Sequence, residues 1–298
     1  MKRLLLVILA LLAGLAACAQ ETYTFAQRDT CELKLDIYRP AEAAEAKPAV
    51  MFVFGGGFIT GARNDKYLVE FYNKLTENGY PVVAVDYRLG MKGVKVGKGL
   101  SGAFKAAKAF YNAQEVGVED VFSAVAYLRE HPELGIDTDN LVVAGNSAGA
   151  IISLASEYAV ISGKCDIPDF NFKGVMSFAG AIISIKGAPQ FKNQPCPILM
   201  LHGTADQAVN YKSFGAFGRG IWGSDYIARK LSLKEYPHTI YRYEDRTHDI
   251  AAYMLVAWPQ VLSFLQNDVE KGTRRFIDAT IDDPSLPTWG NISLDDIY

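Results

Sequence analysis

Histidine and cysteine are scarce in this chain, four of each in 298 residues, and neither is clustered. The histidines stand singly at 131, 202, 238 and 248, and the cysteines at 18, 31, 165 and 196 match no zinc-ligand spacing. We therefore expect no metal and no cofactor. Long apolar runs are missing beyond the first residues: nothing after Leu12 approaches the roughly 20 apolar residues that span a bilayer. Charge of one sign is not in excess either. Thirty Lys and Arg against 33 Asp and Glu leave a net charge of −3, which gives no basic footprint for nucleic acid. Internal repeats and low-complexity linkers are also absent, and half the residues are apolar, so about 280 residues suit one large domain.

What is present begins with a targeting segment. Lys2-Arg3, the apolar run Leu4 to Leu12 and the small residues Ala16-Ala17-Cys18-Ala19 have the layout of a signal peptide, so residues 1–19 are set apart from the fold. Leu15-Ala16-Ala17-Cys18 fits a bacterial lipoprotein signal, with a lipid on Cys18 anchoring the chain to a membrane; the alternative is cleavage at Ala17-Cys18-Ala19 to a soluble product. Either outcome places the protein outside the cytoplasm, as a periplasmic or outer-membrane-anchored lipoprotein or in the medium. The remaining cysteines, Cys31, Cys165 and Cys196, are odd in number, so at most one disulfide forms among them.

Leu33 to Tyr38 alternates apolar and polar residues up to Pro40, as an edge strand does. Ala49 to Phe54, Val82 to Val85, Leu141 to Ala144 and Pro197 to Leu201 are short continuous apolar runs, the pattern of strands buried on both faces. Further strands are expected at Val175 to Phe178 and Thr239 to Tyr243. Helical spacing marks Tyr67 to Thr76 and Val118 to Leu128, and helices are also expected at Ser224 to Leu233 and His248 to Gln266. Gly90 to Val118 reads as an elaborated, partly helical connection. This alternation defines an α/β fold: a doubly wound, mostly parallel sheet of about eight strands flanked by helices, over residues 20–272. Residues 273–298, with weak periodicity and Pro284 and Pro287, are expected to form a tail on the surface.

Between the apolar run ending at Ala144 and the next, Ile151 to Val160, stands Gly145-Asn146-Ser147-Ala148-Gly149. A strand that turns sharply into a helix holds such a serine clear of both elements. As a nucleophile its hydroxyl needs a base, and the base needs an orienting group. Functional residues gather at the carboxyl ends of the strands of such a sheet. His131 and His238 precede strands; His248 follows one. The loop His202-Gly203-Thr204-Ala205-Asp206 follows the preceding strand, so Asp206 is the expected acid, with Asp225, Glu244 and Asp245 as rivals and His202 as a structural residue beneath the loop. Gly55-Gly56-Gly57 ends the first buried strand and allows close backbone approach to a ligand.

The set Gly55-Gly56-Gly57, Asp86-Tyr87-Arg88, Gly145-Asn146-Ser147-Ala148-Gly149, His202-Gly203-Thr204-Ala205-Asp206 and Thr247-His248-Asp249 resembles the α/β-hydrolase superfamily over about Leu33 to Asn267. Within it the chain looks like the carboxylesterase branch related to hormone-sensitive lipase and to bacterial feruloyl or acetyl esterases. It departs from many relatives in having Phe54 where they have His, and Gly90-Met91-Lys92 where they have Ala-Pro-Glu. The resemblance implies Ser147 as nucleophile, His248 as base, Asp206 as orienting acid, and Gly56, Gly57 and Ala148 as oxyanion donors. Phe58, Asn146 and Trp222 are candidate pocket residues, Trp222 lying in an aromatic and glycine-rich insertion from 210 to 224. Arg88 and Asp86 are expected in structural ion pairs. The function expected is hydrolysis of small-molecule or carbohydrate-linked carboxylic esters through an acyl-enzyme. An exopeptidase and a non-catalytic binding protein on the same fold are the alternatives.

Overall fold

The computed structural model describes residues 20–41, 47–95 and 99–288; Cys18 and the rest of the signal segment lie outside them. Strand β1 (Glu21–Gln27) pairs antiparallel with β2 (Glu32–Tyr38). β3 (Ala49–Val53) is buried at every position. Helix α1 (Lys66–Glu77) turns Leu68, Phe71, Tyr72 and Leu75 inward, a spacing of three and four that makes one apolar stripe. β4 (Val82–Val85) follows, then α2 (Gly99–Glu130), a helix of 32 residues. It takes in most of the segment that the sequence marks as a partly helical connection. β5 (Leu141–Asn146) leads through Ser147 into α3 (Ala148–Ile161). Eleven of the fourteen residues of α3 are buried, as an all-round apolar helix requires, so it is the helix packed most deeply against the sheet.

β6 (Gly174–Phe178), β7 (Ala181–Ser184) and β8 (Ile198–Gly203) come next. The insertion then forms a hairpin, β9 (Ser213–Ala216) and β10 (Arg219–Gly223), before α4 (Ser224–Ser232) and β11 (His238–Tyr243). A short 3₁₀ turn at His248–Ala252, α5 (Trp258–Phe264), a π-turn at Leu265–Glu270 and β12 (Phe276–Ile281) complete the described chain.

Among the described residues the strands form a nine-stranded sheet in the order β1-β2-β4-β3-β5-β6-β8-β11-β12. From β4 to β12 every pairing is parallel, with β1 and β2 antiparallel at one edge. β7, β10 and β9 make a separate three-stranded antiparallel sheet. The central strands carry Val, Ile, Leu, Met and Phe on both faces because helices cover both.

Two expectations need correction. The tail expected from residue 273 is not all appendage: β12 pairs with β11 along six residues and adds a strand to the sheet, while residues 289–298 lie outside the described residues. Its alternating Ile, Ala and Ile with Asp and Thr is an edge-strand pattern. The helix expected from His248 to Gln266 is broken. Pro259 lacks an N–H to bond a carbonyl one turn back, so a helix cannot run through it from upstream; the α-helix starts anew at Trp258 with Pro259 in its first turn, and the segment His248–Ala252 is a 3₁₀ turn.

Glu157 gives the fold a pH dependence of its own. It is 3% exposed on α3; its Oε1 accepts from the Cys196 amide at 2.8 Å and its Oε2 has no partner among the described residues. Burial pushes its carboxyl from 4.5 up to about 7, against the opposing pull of the Cys196 amide. The folded chain therefore binds an extra proton between these values. The group's contribution to stability is full below about pH 4.5 and declines by roughly 3 kcal/mol as pH rises through about 7. Glu157→Gln is expected to flatten the denaturation midpoint between pH 5 and pH 8; an unchanged slope would contradict the assignment.

Candidate active site

Ser147 sits between β5 and α3 with φ 51° and ψ −121°, a left-handed conformation that serine rarely adopts. Its amide donates to the Phe178 carbonyl at 2.9 Å, which ties the turn to the end of β6. The turn also needs its glycines for close approach. A Cβ on Gly149 would lie 2.0 Å from the Val53 carbonyl oxygen, and one on Gly145 would lie 2.5 Å from the Gly149 carbonyl. These are backbone atoms of the central sheet and its helix, so they cannot step aside. Gly149→Ala is expected to cost about 3 kcal/mol or more by overpacking. Thermal unfolding measures this, and a midpoint within a degree or two of the parent would contradict it.

The imidazole of His248 follows β11 and is 5% exposed. The Ser147 hydroxyl donates to His248 Nε2 at 2.8 Å, and Nδ1–H donates to Asp206 Oδ2 at 2.8 Å. The structure thus brings together Ser147, His248 and Asp206, which are 101 and 42 residues apart in sequence. Asp206 lies in the turn after β8. Its Oδ1 accepts from the amides of Ala208 and Val209 at 2.9 and 3.0 Å, and its Oδ2 also faces His202 Nε2 at 3.2 Å. Burial alone would raise this carboxyl; the hydrogen bonds from His202 and His248 outweigh it and hold the group well below the usual carboxylate range. Asp206 is therefore charged at neutral pH.

His202 is fully buried beneath the loop, as the sequence suggests. Its Nε2 faces two acceptors, Asp206 Oδ2 and the Val209 carbonyl, so that nitrogen carries hydrogen. Its Nδ1 lies 2.8 Å from Ser224 Oγ at the start of α4. A Cβ on Gly203 would lie 2.2 Å from the Arg246 carbonyl and 2.4 Å from that of Thr247. Only a bare Cα lets the histidine loop lie directly on the acid loop.

Sequence reasoning finds neither Ser224 nor the contacts that support the histidine loop. Arg246 donates to the Asp283 carbonyl at 2.7 Å, and the Tyr253 hydroxyl donates to the Pro287 carbonyl. The segment after β12 thus braces the loop that carries His248. No local pattern signals these partners, because they lie 34 and 37 residues away.

The three-glycine loop passes over the nucleophile. A Cβ on Gly55 would be 3.1 Å from Ser147 Cβ, and Gly56 and Gly57 turn with φ 114° and 63°. Ala148 opens α3, where the first N–H groups have no intrahelical acceptor. Phe58 is 1% exposed and packs edge-on against Tyr87 and Phe110, so it supports the loop from behind. Asn146 is buried beside the nucleophile; its Nδ2 donates to the Tyr67 hydroxyl at 3.3 Å. Trp222 is 8% exposed on β10, paired with Ile182 and 6.4 Å from the Tyr226 ring.

The rivals stand elsewhere. Asp225 pairs with Arg229 and Arg242, while Glu244 and Asp245 are exposed. Nδ1 of His238 donates to the Tyr236 carbonyl, and His131 pairs with Glu133. Arg88 is held by Asp120 and Glu119, and Asp86 by Arg63, so both serve ion pairs. Cys31, Cys165 and Cys196 are free thiols. Among the described residues no three His, Cys, Asp or Glu side chains converge as metal ligands do. A groove of about 610 Å³ between α2, α3 and residues 182–193 is lined by none of the three converging side chains.

A parallel sheet of this order, with a nucleophile turn at the end of β5 and an acid and a histidine after β8 and β11, defines the α/β-hydrolase fold. Comparison agrees. Residues 35–96 match the BD-FAE family model and residues 105–244 the phospholipase/carboxylesterase family model. The chain belongs to the α/β-hydrolase superfamily. It is 31% identical over 137 residues to the ethyl acetate hydrolase of Pseudomonas putida, which covers 44% of this chain and 37% of that protein. Human dipeptidyl peptidase 8 is 25% identical over 203 residues, 59% of this chain and 21% of that one. The chain therefore spans well under half the length of these curated relatives. The propionate-bound structure of Thermogutta terrifontis esterase 2 shares its fold with a TM-score of 0.58 at 21% identity, over 83% of this chain and 94% of that one.

Proposed function

We propose that the protein is a serine hydrolase that cleaves small carboxylic esters through an acyl-enzyme. The observation that carries this is the unbroken hydrogen-bond chain from Ser147 through His248 to Asp206, at 2.8 Å for each step. As Ser147 Oγ attacks the ester carbonyl, its proton passes to His248 Nε2. Asp206, kept ionised, holds Nδ1–H and stabilises the imidazolium that forms. The negative charge on the carbonyl oxygen is taken by the N–H of Ala148 and by the Gly56-Gly57 turn, and losing one such donor typically costs about 2.7 to 4 kcal/mol. His248 then returns the proton to the departing alcohol. Water, deprotonated by the same imidazole, releases the acid and restores Ser147.

The P. putida relative acts on ethyl acetate by its name, which supports short acyl chains here. Carbohydrate-linked acetyl or feruloyl esters are the polymer-derived version of the same chemistry. The likeness to a dipeptidyl peptidase makes amide cleavage the second arm of the test. A panel of p-nitrophenyl acyl esters, acetylated and feruloylated sugars and dipeptidyl anilides is expected to give a pre-steady-state burst of one alcohol per enzyme on the esters alone. Turnover confined to the anilides would overturn the reading. Residues 1–19 further support export, with Cys18 as the point of lipid attachment; recovery of the protein from the cytoplasmic fraction would contradict this.

A further inference from the structure

The hairpin of β9 and β10 ends in a two-residue turn, Phe217-Gly218, in which both residues have positive φ, 52° and 74°. Such turns favour Asn-Gly, and a bulky residue in the first position is strained. The strain secures no packing, because Phe217 is 91% exposed and Phe214, on β9, is 72% exposed. Nothing in the fold accounts for a phenylalanine at this tip.

Basic residues surround it. The Arg219 guanidinium lies 5.5 Å from the centre of the Phe104 ring on α2, and Phe104, Lys105, Lys108 and Arg219 line one shallow depression. The chain as a whole is acidic, yet residues 87–114 carry Arg88 and five lysines with no carboxylate, and residues 207–224 carry Lys212 and Arg219 with none. Arg88 is neutralised by Asp120; Lys105 and Lys108 are exposed and unopposed in this stretch of sequence.

We propose that the hairpin tip and the adjacent face of α2 dock on an anionic lipid bilayer, Phe214 and Phe217 entering the acyl boundary and Lys105, Lys108 and Arg219 meeting the phosphates. Two apolar rings without a polar handle suit hydrocarbon rather than a sugar, and each nearby Lys or Arg strengthens partitioning to an anionic surface about fivefold. The hairpin leaves the carboxyl end of β8, and β7, its sheet partner, leaves the carboxyl end of β6. Docking therefore engages the same rim of the sheet that carries Ser147. The hairpin is also rooted at the site, since Ser224, one residue past β10, binds His202, which binds Asp206. The docking does not depend on the catalytic reading.

The test uses full-length chain carrying Phe217→Trp, read as the difference in emission from the parent chain with its three native tryptophans, so that the new indole reports on the tip whatever happens at Cys18. Adding vesicles of phosphatidylcholine and phosphatidylglycerol is expected to shift its emission to the blue, with quenching by lipids brominated in the acyl chain. Vesicles of phosphatidylcholine alone should give at least tenfold weaker binding, as should added salt or the combined Lys105→Gln, Lys108→Gln and Arg219→Gln changes. Phe217→Asn should lose the vesicle interaction while raising the thermal midpoint, which separates docking from a structural role. No blue shift with anionic vesicles would overturn the proposal. So would an equal response to neutral vesicles, or a shift produced by an acidic polysaccharide but unquenched by brominated lipid.

Discussion

Ser147→Ala is expected to lower kcat for a short p-nitrophenyl ester by on the order of 10⁶, with the thermal midpoint little changed. The side chain is small and, among the described residues, its hydroxyl bonds His248 Nε2 alone, so its loss removes the nucleophile without opening a cavity. The backbone strain at φ 51° is the same for alanine, which leaves stability where it was. Activity within a few fold of the parent would mean that another group attacks the ester.

Asp206→Asn should cost about 10⁴ in kcat, and the reason lies in hydrogen-bond polarity. Oδ1 accepts from two backbone amides, so an asparagine must keep its oxygen there and turn its amide nitrogen toward the two imidazoles. His248 Nδ1 must then accept, which moves its hydrogen to Nε2, where it can no longer take the Ser147 proton. The same amide group points a donor at His202 Nε2, already a donor to the Val209 carbonyl. The variant should therefore lose both activity and a measurable share of stability. Asp206→Ala removes the carboxylate without presenting a donor and tests the tautomer argument: if it is the more active of the two, polarity rather than mere absence of charge sets the loss.

Much of the site could be read from sequence because its parts sit at strand ends. The apolar runs at 49–54, 82–85, 141–144 and 197–201 are buried parallel strands, and the rule that function gathers at their carboxyl ends separates His248 from His131 and His238. The sequence did not show what holds those ends in place. Ser224 and His202 meet across 22 residues, and the tail reaches back to Arg246 and Tyr253 through backbone carbonyls, which carry no side-chain signature. The break at Pro259 was visible in the chain, but helical periodicity on either side obscured it. β12 was missed for a similar reason: an edge strand six residues long, with Asp and Thr facing out, has little apolar pattern to detect.

On the proposed reaction, Ser147 is made nucleophilic by His248 and becomes covalently acylated. Incubation with a stoichiometric organophosphate ester, followed by intact mass and peptide mapping, tests it most directly. The structure predicts one phosphoryl group per chain, carried on Ser147, with labelling abolished in Ser147→Ala and slowed by orders of magnitude in His248→Ala. A label on any other residue, or an unlabelled chain that still turns over its ester, would contradict it.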